Sequence, residues 1–64
     1  MMTIAEILKE IEAYCASEGI AETTFGKRVV NDGKFVRRLR DGGSINLKTY
    51  SKLVGVFEKT KAAA

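Results

Sequence analysis

The stretch GIAETTFGKRVVNDGKFVRRLRDGG, residues 19–43, carries two short amphipathic patterns separated by residues typical of a turn. In the first pattern Phe25 and Val29 point inward, and the sequence predicts a helix over about residues 22–30. In the second pattern Phe35, Val36 and Leu39 fall on one side of a helix at about 100° per residue. This second helix is predicted over about residues 32–41, and the double glycine that follows is expected to end it.

Residues within this stretch also predict how the two helices meet. Gly26 stands in mid-helix at a cost of about 1 kcal/mol relative to alanine, which indicates that another backbone passes close by. Asn31 tolerates left-handed backbone geometry, and Asp32 offers an acceptor that could cap the following helix. A turn at residues 31–32 is therefore expected.

Helices are predicted on both sides of this stretch. The first begins at a capping-box pattern of Thr3 and Glu6 and ends at Gly19. Its apolar stripe consists of Ile4, Ile7, Leu8, Ile11, Tyr14 and Cys15. The last helix begins near Asn46, with Ser44 as the alternative N-cap, and ends at residue 57 or 59. Its apolar face consists of Leu47, Tyr50, Leu53, Val54 and Phe57.

The amino-acid composition predicts the fold class of the chain. Proline is absent and helix-favouring residues are plentiful, so an all-α fold is expected in one domain over residues 1–59. Residues 60–64 are interpreted as a frayed tail, with the final alanines as a remnant of an expression vector. A core this small is marginally stabilising, and self-association is the expected supplement.

The few chemically reactive residues exclude several function classes. The chain has one cysteine and no histidine, which excludes an internal disulfide and the common zinc patterns. Cys15 is therefore expected to be a core thiol. No nucleophile with a base partner and no phosphate-binding glycine loop is present, so we expect no enzyme, no metal and no cofactor. No apolar run is long enough to span a membrane and no secretion signal is evident, so a cytoplasmic location is expected.

Charge is divided unevenly along the chain. Residues 1–22 hold one basic and five acidic residues, whereas residues 23–64 hold ten basic and three acidic residues. A small domain with one basic side commonly meets a polyanion. The helix predicted at about residues 32–41 would place Lys34 and Arg37 nearly opposite its apolar side, flanked by Arg38 and Arg40.

The order of these features resembles the helix-turn-helix core of the lambda-repressor-like (Cro/C1-type) DNA-binding domains. The resemblance covers about residues 4–57. It rests on Gly19 and Ile20 before the first motif helix, on Gly26 where the two helices cross, and on Gly42 after the second. The apolar positions of the motif are matched by Phe25, Val29, Val36 and Leu39.

Three positions depart from the family pattern. Ala21 replaces the usual serine or threonine cap, and Glu22 replaces a glutamine that often touches a phosphate. Val30 stands where the turn glycine is usual, and a β-branched residue is costly at positive φ. Either the helix runs one residue longer, or Asn31 takes the left-handed position.

The resemblance implies a compact domain of four to five helices that binds double-stranded DNA as a transcriptional regulator. It implies a homodimer on a pseudo-palindromic operator. A helix in the major groove would bring Lys34 and Arg37 to base edges, and Gly33 would let the backbone approach the DNA. The implied contacts to the DNA backbone are Thr23, Thr24, Lys27, Arg28, Arg38, Arg40 and Lys48.

Two other classes of function stay open. The same fold could serve as a protein-interaction module, such as an antitoxin or a factor that docks on RNA polymerase, with the basic helix or the acidic first helix as its surface. Alternatively, the domain could bind DNA without sequence preference as an architectural protein.

Overall fold

The computed structural model of the chain describes residues 2–62, with side chains described through residue 59. Within that range it contains four α-helices and no β-strand: α1 (Ile4–Glu18), α2 (Glu22–Val30), α3 (Phe35–Arg40) and α4 (Leu47–Ala62). The radius of gyration is 10.8 Å, against about 10.7 Å expected for a compact chain of this length. The all-α prediction is confirmed.

Local side-chain chemistry sets both ends of α1. The hydroxyl of Thr3 accepts the backbone N–H of Glu6 at 3.1 Å, and the Glu6 carboxylate accepts the backbone N–H of Thr3 at 2.8 Å. These two bonds form the predicted capping box, and the bond from the Thr3 backbone lowers the pKa of Glu6. At the other end Gly19 adopts the predicted left-handed conformation, with φ 66°.

The turn after α2 decides between the two alternatives given above for Val30, a longer helix or a left-handed Asn31. Val30 remains the last helical residue, and Asn31 takes the left-handed position with φ 56°. An asparagine tolerates this geometry better than a β-branched valine would. The N–H of Asp32 then donates to the carbonyl of Gly26 at 3.0 Å, which folds the chain back against α2.

Gly26 is the point of closest approach between α2 and this turn. A Cβ placed on Gly26 would clash with the carbonyl oxygen of Asp32 and would lie 3.5 Å from the Cα of Gly33. The predicted close backbone is therefore confirmed, and it belongs to the turn at residues 32–33.

The third helix is shorter than predicted, since it begins at Phe35 and not near residue 32. The side chain of Asp32 accepts the N–H of Lys34 at 3.0 Å, and its carbonyl accepts the N–H of Phe35 at 3.2 Å. Asp32 thus organises a turn ahead of the helix, and the prediction that it caps α3 directly is wrong. Gly42 ends the segment at φ 96°, as the double glycine predicted.

The start of α4 was predicted correctly in one respect and wrongly in another. The side chain of Asn46 accepts the N–H of Thr49 at 2.8 Å, so Asn46 is the N-cap in preference to Ser44. Leu47, however, was predicted to lie on the apolar face of the helix and is 70% exposed. The helix continues to Ala62, beyond the end predicted at residue 57 or 59. The interpretation of residues 60–64 as a tail stays a prediction, and residues 63–64 lie outside the described residues.

All four helices contribute to one apolar core. Its buried residues are Ile7, Ile11, Cys15, Phe25, Phe35, Val36, Leu39, Leu53 and Phe57. Phe25 lies at the centre, with its ring edge-to-face against Tyr14 and stacked on Phe57 at centroid distances of 5.4 and 6.4 Å. Cys15 is buried as predicted, and burial raises the pKa of its thiol.

Candidate nucleic-acid interface

The residues predicted to contact DNA lie on α2, on the turn before α3, on α3 and at the start of α4. Most of their side chains are exposed: Thr23, Lys27, Arg28, Lys34, Arg37, Arg38, Arg40 and Lys48. Two of the predicted residues are only partly exposed, namely Thr24 and Gly33.

The division of α3 into two faces follows from its packing against α1 and α2. Phe35, Val36 and Leu39 are buried, and the other three residues of this six-residue helix are arginines with exposed side chains. A short helix with half its residues in the core cannot turn about its axis without exposing apolar surface. The core therefore holds the cationic face of α3 toward solvent.

A shallow depression of about 320 Å³ lies between the start of α2 and α3. It brings together three of the predicted site residues, Thr23, Gly33 and Arg37. The rest of its lining consists of Glu22, Val36, Arg40 and Asp41. Two cations and two carboxylates therefore border the same surface, so the electrostatics here depend on how these charges are paired.

Lys27 packs against the turn that precedes α3, which sequence reasoning did not find. A Cβ on Gly33 would lie 3.2 Å from the Cε of Lys27 and 3.4 Å from its Cγ. The apolar stem of Lys27 therefore runs across Gly33, while the residue as a whole remains exposed. The predicted approach of Gly33 to DNA stays a prediction, and one side of this glycine is occupied by Lys27.

Arg38 forms an ion pair with Asp32 across the turn. The Arg38 side chain remains 65% exposed, so the pair lies in water. Exposed pairs of this kind contribute only about 0–1 kcal/mol to stability. The charge of Arg38 is thus available to an anion that approaches α3.

Arg40 is held in a different way, by carboxylates from two other helices. Its two terminal nitrogens donate to the two carboxylate oxygens of Glu22, and Nη2 donates to Oε2 of Glu12 at 2.8 Å. The Nη2–Oε2 distance to Glu22 is 2.6 Å. These hydrogen bonds lower the pKa of Glu22 and raise the pKa of Arg40. One guanidinium therefore links α1, α2 and α3.

The role of Arg40 as a phosphate ligand stays a prediction, but sequence reasoning missed both of its partners. Glu22 and Glu12 lie 18 and 28 residues away along the chain. No helical spacing relates positions so far apart, and no local signal could have identified them.

Other site types gain no support from the described residues. Between residues 2 and 62, no three His, Cys, Asp or Glu side chains are grouped so that they could hold a metal ion. Nor is any helix of that range long and apolar enough to cross a membrane. Comparison of the chain with protein-family models, with curated protein sequences and with solved structures found no match.

Proposed function

We propose that this protein is a sequence-specific transcriptional regulator that binds double-stranded DNA through a lambda-repressor-like helix-turn-helix formed by α2 and α3. The observation that carries the proposal is the fixed orientation of α3. Its apolar side is buried in the core, and Arg37 and Arg38 are exposed on its other side. Lys34 is exposed at the end of the preceding turn, which is closely packed against α2.

The dimensions and chemistry of α3 suit the major groove of DNA. A helix with its side chains is about 10–12 Å across, and the major groove is about 12 Å wide. Among the described side chains, neither Lys34 nor Arg37 takes part in an ion pair. Both can therefore donate to the O6 and N7 atoms of guanine, and they are the proposed base-reading residues together with the backbone at Gly33.

The exposed cations around α3 would hold the protein on the DNA backbone. In this arrangement α2 crosses the phosphates, with Thr23, Thr24, Lys27 and Arg28 facing them. Arg38 and Lys48 would contribute further phosphate contacts. Such contacts fix orientation without reading sequence, and they make the affinity fall with rising salt.

Regulators of this kind bind as homodimers, and we propose the same for this chain. The operator would be a pseudo-palindrome whose half-site centres lie about one helical turn, roughly 34 Å, apart.

The test is selection of bound duplexes from a random pool at near-physiological salt, followed by sequencing. Enrichment of an inverted repeat is the expected result. Salt-sensitive binding without enrichment of any sequence would contradict this proposal and would indicate an architectural DNA-binding protein. The absence of binding would replace it by a protein partner.

Three alanine variants then separate base reading from phosphate contact. Arg37→Ala is expected to relax specificity at one or two base pairs at a cost of about 1–3 kcal/mol, whereas Arg28→Ala is expected to weaken all sites evenly and reduce the salt slope by about 1. Lys9→Ala, on α1, makes the same change in charge and should leave both the base-pair specificity and the salt slope unchanged. Equal effects of Arg37→Ala on all base pairs would contradict its assignment as a base-reading residue.

A further inference from the structure

Glu22 is an unexpected residue for the face of the protein that would meet DNA. It is the first residue of α2, and it borders the depression that also contains Thr23, Gly33 and Arg37. A carboxylate beside a phosphate repels it, and the repulsion is stronger at a protein surface than in bulk water. The structure therefore has to offset this charge if the face is to bind DNA.

Arg40 is placed to offset the charge of Glu22. Its two terminal nitrogens meet both carboxylate oxygens of Glu22, which is the geometry in which a guanidinium binds a carboxylate most specifically. The Arg40 side chain is 41% exposed, and Glu22 is 32% exposed, so the pair is accessible from the depression.

The third member of this cluster makes Arg40 a poor phosphate ligand. Glu12 also accepts from Nη2 of Arg40, so one positive charge faces two negative ones. A phosphate that approached this guanidinium would meet a cluster of net negative charge. Lys34 and Arg37 take part in no ion pair among the described residues, so they attract an anion more strongly.

We propose that Arg40 is a positioning residue for DNA binding: it neutralises Glu22 at the edge of the interface, and it does not bind phosphate. This inference rests on the proposed function. Its specific consequence is that Arg40 matters for DNA affinity only while position 22 carries a negative charge.

The test is a cycle of four proteins: the wild type, Arg40→Met, Glu22→Gln and the double variant. Their affinities for the selected duplex are measured by fluorescence anisotropy at one salt concentration. Methionine retains the apolar stem of Arg40 and removes its charge. Arg40→Met is expected to weaken binding about tenfold in the wild type, from the exposed charge of Glu22, and less than twofold when residue 22 is glutamine.

Two further measurements distinguish this role from its alternatives. A phosphate-binding Arg40 would give the same loss in both backgrounds and would reduce the salt slope by about 0.9 when it is replaced. If the loss came instead from repulsion between the Glu12 and Glu22 carboxylates left without Arg40, Glu12→Gln would rescue binding as well as Glu22→Gln. Glu12 touches Arg40 but does not line the depression, so the proposal expects rescue by Glu22→Gln alone.

The outcomes separate this inference from the function on which it rests. Arg40→Met lowers DNA affinity by one factor when residue 22 is glutamate and by another when it is glutamine. A ratio of about threefold or more between these two factors supports the inference, and a smaller ratio overturns it. Rescue by Glu12→Gln overturns it as well. If the wild type binds no duplex, both the proposed function and this inference are wrong. If it binds but the effects of positions 40 and 22 on affinity are independent, only the proposed role of Arg40 is wrong. All variants are compared at a temperature where circular dichroism shows each to be folded.

Discussion

Replacement of Gly26 by alanine tests the close contact between α2 and the turn that leads into α3. The added Cβ would clash with the carbonyl oxygen of Asp32, which is backbone and not the end of a flexible side chain. The turn would have to move away from α2. This movement would also lengthen the bond from the Asp32 N–H to the Gly26 carbonyl, now 3.0 Å.

The size of the effect follows from three opposing contributions. Overpacking of a tight contact costs about 1–3 kcal/mol, and loss of the Asp32–Gly26 hydrogen bond costs about 1 kcal/mol more. The higher helix propensity of alanine returns about 1 kcal/mol. We therefore expect Gly26→Ala to lower the free energy of unfolding by about 2 kcal/mol, which in a domain of this size lowers Tm by about 8–16 °C.

Gly55→Ala is the matched control for this experiment. Gly55 lies in α4, and a Cβ placed there meets nothing within 4 Å. The same substitution should therefore raise stability by about 0.5–1 kcal/mol. Thermal unfolding followed by circular dichroism, at one protein concentration because self-association would affect Tm, measures both variants. A Gly26→Ala protein as stable as the wild type or more so would refute the close contact.

Two further predictions concern the helix ends. Asn46→Ala removes the bond to the Thr49 N–H and should cost about 1 kcal/mol, measured by urea denaturation; Ser44→Ala, which leaves that bond intact, should cost less. The capping box should make stability depend on pH: the pKa of Glu6 is lowered in the folded state, so its contribution is present above the ordinary pKa and is lost as pH falls through the folded value. The wild type should therefore exceed Glu6→Gln in Tm at neutral pH by more than it does at about pH 3, and a constant difference would contradict this.

The parts of the fold that could be predicted from sequence are those set by near neighbours. Thr3 bonds to a residue three positions away, and so does Asn46. The left-handed backbone of Gly19 follows from its lack of a Cβ, and that of Asn31 from the tolerance of its short polar side chain. In each case the physical cause lies within a few residues, so the sequence pattern contains it.

The parts that could not be predicted depend on contacts between distant segments. Leu47 fits an apolar stripe by spacing, but it is 70% exposed in the folded protein. Asp32 looks like a helix cap, but its side chain organises the turn before α3. The partners of Arg40 come from two other helices, and helical spacing carries no information about them.

The two tyrosines of this protein can serve as intrinsic fluorescent probes of two different regions. The chain has no tryptophan and two tyrosines, so tyrosine emission is not transferred to an indole. Tyr14 packs edge-to-face on Phe25 between α1 and α2, whereas the hydroxyl of Tyr50 accepts the N–H of Met2 at 3.0 Å. Proteins with a single remaining tyrosine would each report on one region, the centre of the core or the junction between α4 and the segment before α1. Different unfolding curves from the two emissions would mean that these regions melt separately.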